Sequence, residues 1–519
     1  MFSERTLPQL MANRAAQHPE RVLFTFKGND YTFGMVHESS SRIAGELQRL
    51  GVQKGDRVIV ALPNIPEIIH SFTAVSLAGG AFIPANPNFT EREIVYLLEN
   101  SEARGIIGTP AIVQKVRNHR SNLPHLNFVV QVGDDERPAN VLSWEALQKG
   151  SADAWQPVDV TPDDLLMVIY TSGTTGNPKG AMIAHGRFLN NTSRVASLFQ
   201  MTPDDVSVNM LPYNHIFAPV IEWIPALGIG SRFILRENFH PRGVLEDVQN
   251  YRATILAGVP PMYATMLDEM NHNEYDATSL RVGLIAAAPV PVNVQQNFEK
   301  LTGCVMVQGY GQTEAGPLVT FEPLDRPKGL HPGTCGTNLF DDIQIRLVDE
   351  DGKDVPQGEV GEIVVKSPDI MLGYWKMPEA TDKAIEPDGW LHTGDLAYMD
   401  EDGYYYMVDR LKHMIISSGR NIYPAEIENI MVALPQVKEA AVLGLPDELR
   451  GEVVEAFIVL KEGQSITEKE VLEYCKQNLA SYKIPRKVHI VESFPHTVTG
   501  KIRKVQFREE YIRNQSNVG

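Results

Sequence analysis

The sequence predicts an α/β protein, with a large N-terminal domain of wound α/β sheets that carries a small β-barrel-like piece, followed by a small α+β C-terminal domain. Three observations predict it. Short apolar runs alternate with helical patterns through the first 310 residues; turn-rich short strands take over beyond about 330; and a new helix-and-strand alternation begins after Arg410. Apolar strands alternating with helices imply a parallel sheet covered on both faces. At 519 residues the chain exceeds one comfortable core, so two domains are expected, 1–410 and 411–519.

Taken in order, residues 1–160 read as scaffold. Thr90-x-x-Glu93 is a capping box ahead of Ile94, Val95, Leu97 and Leu98, so a helix begins there. Arg57–Leu62, Gly105–Ile107 and Phe128–Val130 read as buried strands. Further strands are expected at Leu165–Tyr170, Thr254–Val259, Val282–Ala287 and Val305–Gln308. In such sheets ligands bind beyond the carboxyl ends of the strands. Three loops fall there: the one after Tyr170, Ala286-Ala287-Ala288-Pro289, and Gly309-Tyr310-Gly311-Gln312-Thr313-Glu314. Ile343–Val348, Glu362–Lys366 and the Asp402-Gly403 hairpin supply the antiparallel piece. In the last 110 residues or so, Pro424 opens one helix and Thr467-x-x-Glu470 caps another, with strands at Ala440–Leu443 and Ala456–Leu460.

Composition removes several function classes. A net charge of −18 without a basic tract argues against a nucleic-acid partner. Cys304, Cys335 and Cys475 are widely spaced and contain no CxxC pair, which excludes a disulfide framework or zinc cluster and suits a reducing cytosol. Met1-Phe2-Ser3-Glu4-Arg5 lacks a signal pattern, and no apolar run approaches the roughly 18 residues of a membrane span. A cytoplasmic protein with no integral membrane segment is expected.

The chemistry starts at Tyr170–Gly180, where four serine and threonine hydroxyls, three glycines and a lysine crowd into eleven residues after an apolar strand. Glycines let backbone approach a ligand, and hydroxyls, amides and an ammonium all donate to phosphate oxygens. It is not a Walker loop, because Pro178 precedes Lys179 and Ala181–Ala184 reads as extended chain. Glu314 lies at the same sheet edge. A carboxylate beside a polyphosphate is repulsive unless a divalent cation intervenes, which makes Glu314 a magnesium-ligand candidate. Asp395 paired with Arg410 could hold the two hydroxyls of a ribose. Taken singly, Asp395 reads as a turn aspartate, Lys501 as a solvated basic tail, and His215 as a core histidine.

Together these residues resemble the acyl-CoA synthetases of the adenylate-forming superfamily, which also holds luciferases and peptide-synthetase adenylation domains. Tyr170–Gly180, Tyr310–Glu314, Gly389–Asp395, Asp409–Gly419 and Thr499–Lys501 occur in that family's order and approximate spacing over nearly the whole chain. The resemblance implies ATP, Mg²⁺ and coenzyme A as reactants and cofactors, and a C-terminal domain that moves. It implies that Thr171, Ser172, Gly173, Thr174, Thr175, Gly176 and Lys179 hold the β/γ-phosphates, with Thr171 and Glu314 on Mg²⁺. Ala287, Ala288, Pro289 and Tyr310 would flank the adenine, with Gly311, Gln312 and Thr313 also binding the nucleotide; the family more often has glycines where this chain has Ala286-Ala287-Ala288. Asp395 and Arg410 would bind ribose, Lys412 would be the hinge, and Ser418 and Gly419 would shape a thiol tunnel. Lys501 would reach the carboxylate and α-phosphate, and His215 would gate the acid pocket. A homodimer is a further expectation.

A carboxylate anion resists nucleophiles, and attack on the α-phosphate of ATP turns it into an acyl-adenylate whose AMP leaves readily. Two anions must meet, so cations must neutralise charge as it redistributes. A thiol then attacks the carbonyl. Asn214–Trp223 holds no aspartate to pair an ammonium, and Glu222 is its only acid, so an amino-acid substrate is disfavoured. Ile216, Phe217, Val220, Ile221, Gly258–Tyr263 and Pro317–Val319 are apolar, which favours a medium- or long-chain fatty acid. An aryl acid of the benzoate or cinnamate type is the nearest rival, and loading of a carrier protein is the alternative second step.

Overall fold

The computed structural model describes residues 2–171, 178–288, 290–417, 420–447, 450–496 and 502–516. The chain divides into two compact units, Met1–Gln344 with Val365–Leu391, and Ile345–Val364 with His392–Gly519. The sequence places its boundary at 410–412; by compactness the turn-rich strands before that point gather with the C-terminal residues instead.

The first unit holds two eight-stranded sheets. In one, the strands run Gly373–Tyr374, Lys179–Ala184, Leu165–Thr171, Ala81–Pro84, Arg57–Ala61, Gly105–Gly108, Phe128–Gln131 and Leu142–Ser143. The central pairs are parallel, as the apolar runs predict, while each of the first three strands runs antiparallel to the next. In the other sheet, Thr320–Phe321, Val305–Tyr310, Val282–Ala286, Ile255–Gly258 and Val206–Val208 follow one another, with Arg232–Leu235, Val22–Phe26 and Asn29–Thr32 completing it. The capping box forms as read: Thr90 accepts from the Glu93 N–H while the Glu93 side chain reaches back to the Thr90 N–H, and the helix runs Glu91–Ser101. Buried apolar residues of both sheets form the cores, with Ile59, Ile106 and Val129 in one and Leu256, Ile285 and Met306 in the other. No helix among the described residues is long and apolar enough to cross a membrane, and Cys304, Cys335 and Cys475 are buried and form no disulfide.

The second unit contains most of a four-stranded sheet in the order Gln344–Val348, Gly361–Lys366, Leu391–Met399, Tyr405–Arg410. This is the piece that reads as barrel-like in the sequence. The rest is a five-stranded sheet built on the long hairpin Val437–Asp447 and Gly451–Leu460. Pro424 opens the helix Pro424–Val432 and Thr467 caps Glu468–Asn478, both as expected.

Candidate functional site

Strand pairing carries Thr171 and Lys179 to the neck of one hairpin. Leu165–Thr171 and Lys179–Ala184 run antiparallel, with Tyr170 opposite Gly180 and Thr171 opposite Lys179. The loop between them must therefore leave and return at those two side chains. Ser172, Gly173, Thr174, Thr175 and Gly176 lie outside the described residues. Lys179 begins a strand, which agrees with the reading that it does not start a helix.

Glu314 arrives from the other sheet. Val305–Tyr310 ends, and a short turn Thr313–Ala315 presents the carboxylate. The Thr171 hydroxyl donates to Glu314 Oε1 at 2.9 Å, and the Tyr374 hydroxyl donates to the same oxygen at 3.1 Å. The turn is tight: a Cβ on Gly311 would sit 2.1 Å from the Pro317 carbonyl oxygen, so only glycine fits. The adjacent hydroxyl and carboxylate form an oxygen-only pair that suits Mg²⁺, which keeps most of its coordination for phosphate and water. Among the described residues no group of three or more His, Cys, Asp or Glu side chains forms a metal cluster.

The proposed adenine wall follows from register. Ala286 lies opposite Gly309 in the parallel pair, so Ala287 and Tyr310 leave adjacent strand ends together. Ala287 has φ +70°, a left-handed conformation that costs a non-glycine residue about 1–2 kcal/mol. Glycine would adopt this conformation freely, whereas this chain holds it with an alanine. Pro289 lies outside the described residues.

His215 lines an apolar pocket whose walls include Phe72, Phe82, Met167, Ile169, Tyr213 and Trp223. Its Nδ1 accepts from the Phe217 N–H at 3.2 Å, which leaves the proton of the neutral ring on Nε2. Phe72 packs against Phe82 and Trp223 with centroids 4.5 and 4.9 Å apart. Sequence reading found Ile216 but missed the walls from the helix Pro66–Leu77 and the strands at Phe82 and Met167, because buried scaffold strands show no pocket signal. Tyr263, expected in the pocket, packs wholly in the core; its hydroxyl donates to the carbonyls of Leu256 and Leu284 at 3.2 and 3.0 Å. Glu222 is fully buried in the π-helical turn Pro219–Trp223, where burial pushes its carboxyl well above the usual range. Asn209 donates to its Oε2.

In the second unit, Asp395 and Arg410 meet as cross-strand partners, with Arg410 Nε 3.0 Å from Asp395 Oδ1. Asp395 is buried and Arg410 largely exposed, so the carboxylate is fixed while the guanidinium keeps an open side. Lys412 falls in the short turn Leu411–His413 just after this pair. Ser418, Gly419 and Lys501 lie outside the described residues. Lys504, three positions beyond Lys501, donates to half-buried Glu428 at 2.7 Å and starts the helix Lys504–Ser516. Sequence reading took this lysine only as part of a basic tail.

Residues 11–375 match the model of the AMP-binding enzyme family, and residues 426–501 match the C-terminal domain of AMP-binding enzymes. The chain belongs to that family. It is an AMP-forming acyl-CoA synthetase, an acid–thiol ligase. The enzyme is 36% identical to a feruloyl-CoA synthase of Amycolatopsis sp, over 96% of this chain and 97% of that one. It is 32% identical to a long-chain-fatty-acid–CoA ligase of Bacillus subtilis (strain 168), over 98% and 95%. Its fold superimposes on that of ATP-bound MatB from Rhodopseudomonas palustris with a TM-score of 0.87 at 30% identity, covering 97% of this chain and 99% of that one. The anthranilate CoA ligase AuaEII with anthranoyl-AMP gives 0.89 at 25%, covering 98% of each.

Proposed function

We propose that the enzyme adenylates a largely apolar carboxylic acid, a medium- or long-chain fatty acid in the first instance, and passes the acyl group to the thiol of coenzyme A. The apolar pocket beside His215 carries this reading. Glu222, the only acid in Asn214–Trp223, is fully buried with its pKa raised by that burial, and it is not among the residues that line the pocket. In the first step the acid's carboxylate oxygen attacks the α-phosphorus of ATP and pyrophosphate leaves. Lys179 and the loop after Thr171 grip the departing phosphates, and Lys501 neutralises charge at the α-phosphate. Mg²⁺, held by Thr171 and Glu314, would supply further charge neutralisation on the phosphates. Asp395 and Arg410 fix the ribose, while Ala287, Ala288 and Tyr310 flank the base. In the second step the thiol attacks the acyl carbonyl past Ser417, Ser418 and Gly419, and AMP leaves. Rotation about Lys412 would exchange Lys501 for the thiol path between the steps.

An aryl acid is the second reading, favoured by the aromatic walls Phe72, Phe82, Tyr213 and Trp223 and by the likeness to feruloyl-CoA synthases. Pyrophosphate release measured across alkanoates, benzoates and cinnamates, with and without coenzyme A, separates the two. Highest kcat/KM on alkanoates with thioester formed from free coenzyme A is expected. A clear preference for cinnamates replaces the first reading with the second, and adenylate formation without any use of free coenzyme A would sink the acceptor assignment.

A further inference from the structure

We infer that Tyr374 is a positioning residue of the ATP site: its hydroxyl aims the carboxylate of Glu314, and its ring holds Lys179 apart from that carboxylate. This role rests on the reading of Glu314 as a magnesium ligand, and it adds a residue that no motif in the sequence marks.

The backbone around Tyr374 is anchored on both sides. Gly373–Tyr374 pairs antiparallel with Lys179–Ala184, setting Tyr374 opposite Ala181. The Leu372 N–H donates to the Met182 carbonyl at 2.8 Å and the Trp375 N–H to the Gly180 carbonyl at 2.7 Å. The Tyr374 N–H donates to Thr381 Oγ1 at 2.9 Å. From this strand the hydroxyl reaches Glu314 Oε1 at 3.1 Å, beside the Thr171 hydroxyl on the same oxygen. Among the described residues no hydrogen bond reaches Glu314 Oε2, so two donors on one oxygen would leave the other available to a cation.

The ring does a second task. Lys179 Nζ lies 4.9 Å from its centroid, a cation–π contact. Among the described residues Lys179 makes no ion pair with Glu314. A direct pair would neutralise the two groups that the reaction needs separately, one for phosphate and one for the metal. The ring takes the ammonium on its face while its hydroxyl takes the carboxylate.

The test is equilibrium binding of ATP to the full chain by calorimetry, over a Mg²⁺ series and in EDTA, with no acid present. Tyr374→Phe keeps the ring and loses the hydroxyl. It should raise the Mg²⁺ concentration that half-saturates the ATP-binding response by about tenfold or more, as expected for one hydrogen bond to a charged group, and leave binding in EDTA unchanged. Tyr374→Leu should in addition weaken binding in EDTA about threefold through the lost cation–π contact. Glu314→Gln runs alongside. If Glu314→Gln loses Mg²⁺ dependence while Tyr374→Phe does not, the role of Tyr374 is overturned and that of Glu314 stands. If Glu314→Gln keeps its Mg²⁺ dependence, the metal reading itself fails. A Tyr374→Phe protein that melts lower and binds ATP equally poorly with and without Mg²⁺ would make the residue merely structural and also overturn the proposal.

Discussion

Glu322 shows how much one buried proton can govern. Its side chain is almost fully buried, just past the strand Thr320–Phe321, where it accepts from the Gln308 N–H at 2.9 Å. Burial outweighs that hydrogen bond and pushes the carboxyl up to about 7, from an ordinary value of about 4.3. The folded state therefore binds the proton more tightly than the unfolded chain does. Stability is fully present below about pH 4.3, falls as pH rises through the window up to about 7, and then levels, a loss on the order of 3 kcal/mol. Glu322→Gln keeps the acceptor and removes the charge, so it should raise the apparent Tm clearly at pH 8 and hardly at pH 5. Equal shifts at both pH values in a thermal melt would refute the assignment. Nothing in the local sequence marks Glu322, since its burial comes from register with Gln308, fourteen positions away. Glu314 was legible because a family motif surrounds it; Tyr374 was not, because its partners lie sixty and 195 positions off in the chain.

At the scale of elements, the helix His185–Leu198 carries a buried Arg194 that ties two loops of the first unit together. Arg194 donates to Asp369 Oδ2 at 3.0 Å and to both oxygens of Asp342 at 2.8 and 2.7 Å, and its guanidinium lies over the Phe340 ring at 4.7 Å. Asp369 precedes Met371, whose N–H donates to the Glu314 carbonyl at 2.9 Å, so this ion pair supports the segment that carries Tyr374. Arg194→Met leaves Asp369 as a buried carboxylate with Asn190 and Asn191 as its remaining side-chain donors. The expected cost is about 3–5 kcal/mol in denaturant unfolding. Arg194→Met with Asp369→Leu should recover part of it, because an apolar pair replaces an orphaned charge; a double variant as unstable as the summed singles would contradict this. Elements with local signals were readable: two capping boxes, the buried strands and the proline-led helix all form where residue chemistry puts them. The antiparallel edge Lys179–Ala184 with Gly373–Tyr374 was half legible. Its first strand follows the loop directly, but its second comes from 190 residues later, and pairing over that distance leaves no local pattern.

For the whole molecule, alternation and texture change gave the two-part architecture, but not where the parts divide in three dimensions. Composition breaks near Arg410, whereas compactness joins Ile345–Val364 and His392–Gly519. The reason lies in bonds that cross the turn Leu411–His413. Asp409, on the strand side, accepts from the Ala425 N–H at 2.8 Å and lies 3.4 Å from His413 Nδ1. The interacting His413 side chain and the nearby Lys504 charge lower its pKa, against the pull of burial. A rotation about Lys412 is thus an internal motion of the second unit, and it must work against or around these links. If two catalytic steps need two settings of that turn, a restraint on it should separate the steps. Proline fixes φ near −65° and restricts the residue before it, so Lys412→Pro should change the ratio of the two half-reaction rates at least tenfold, about 1.4 kcal/mol in relative barrier. Pyrophosphate release in single turnover reports the first step, and thioester formation from supplied acyl-adenylate reports the second. A variant that slows both steps by the same factor would count against Lys412 as the hinge, because general loosening of the unit affects both alike.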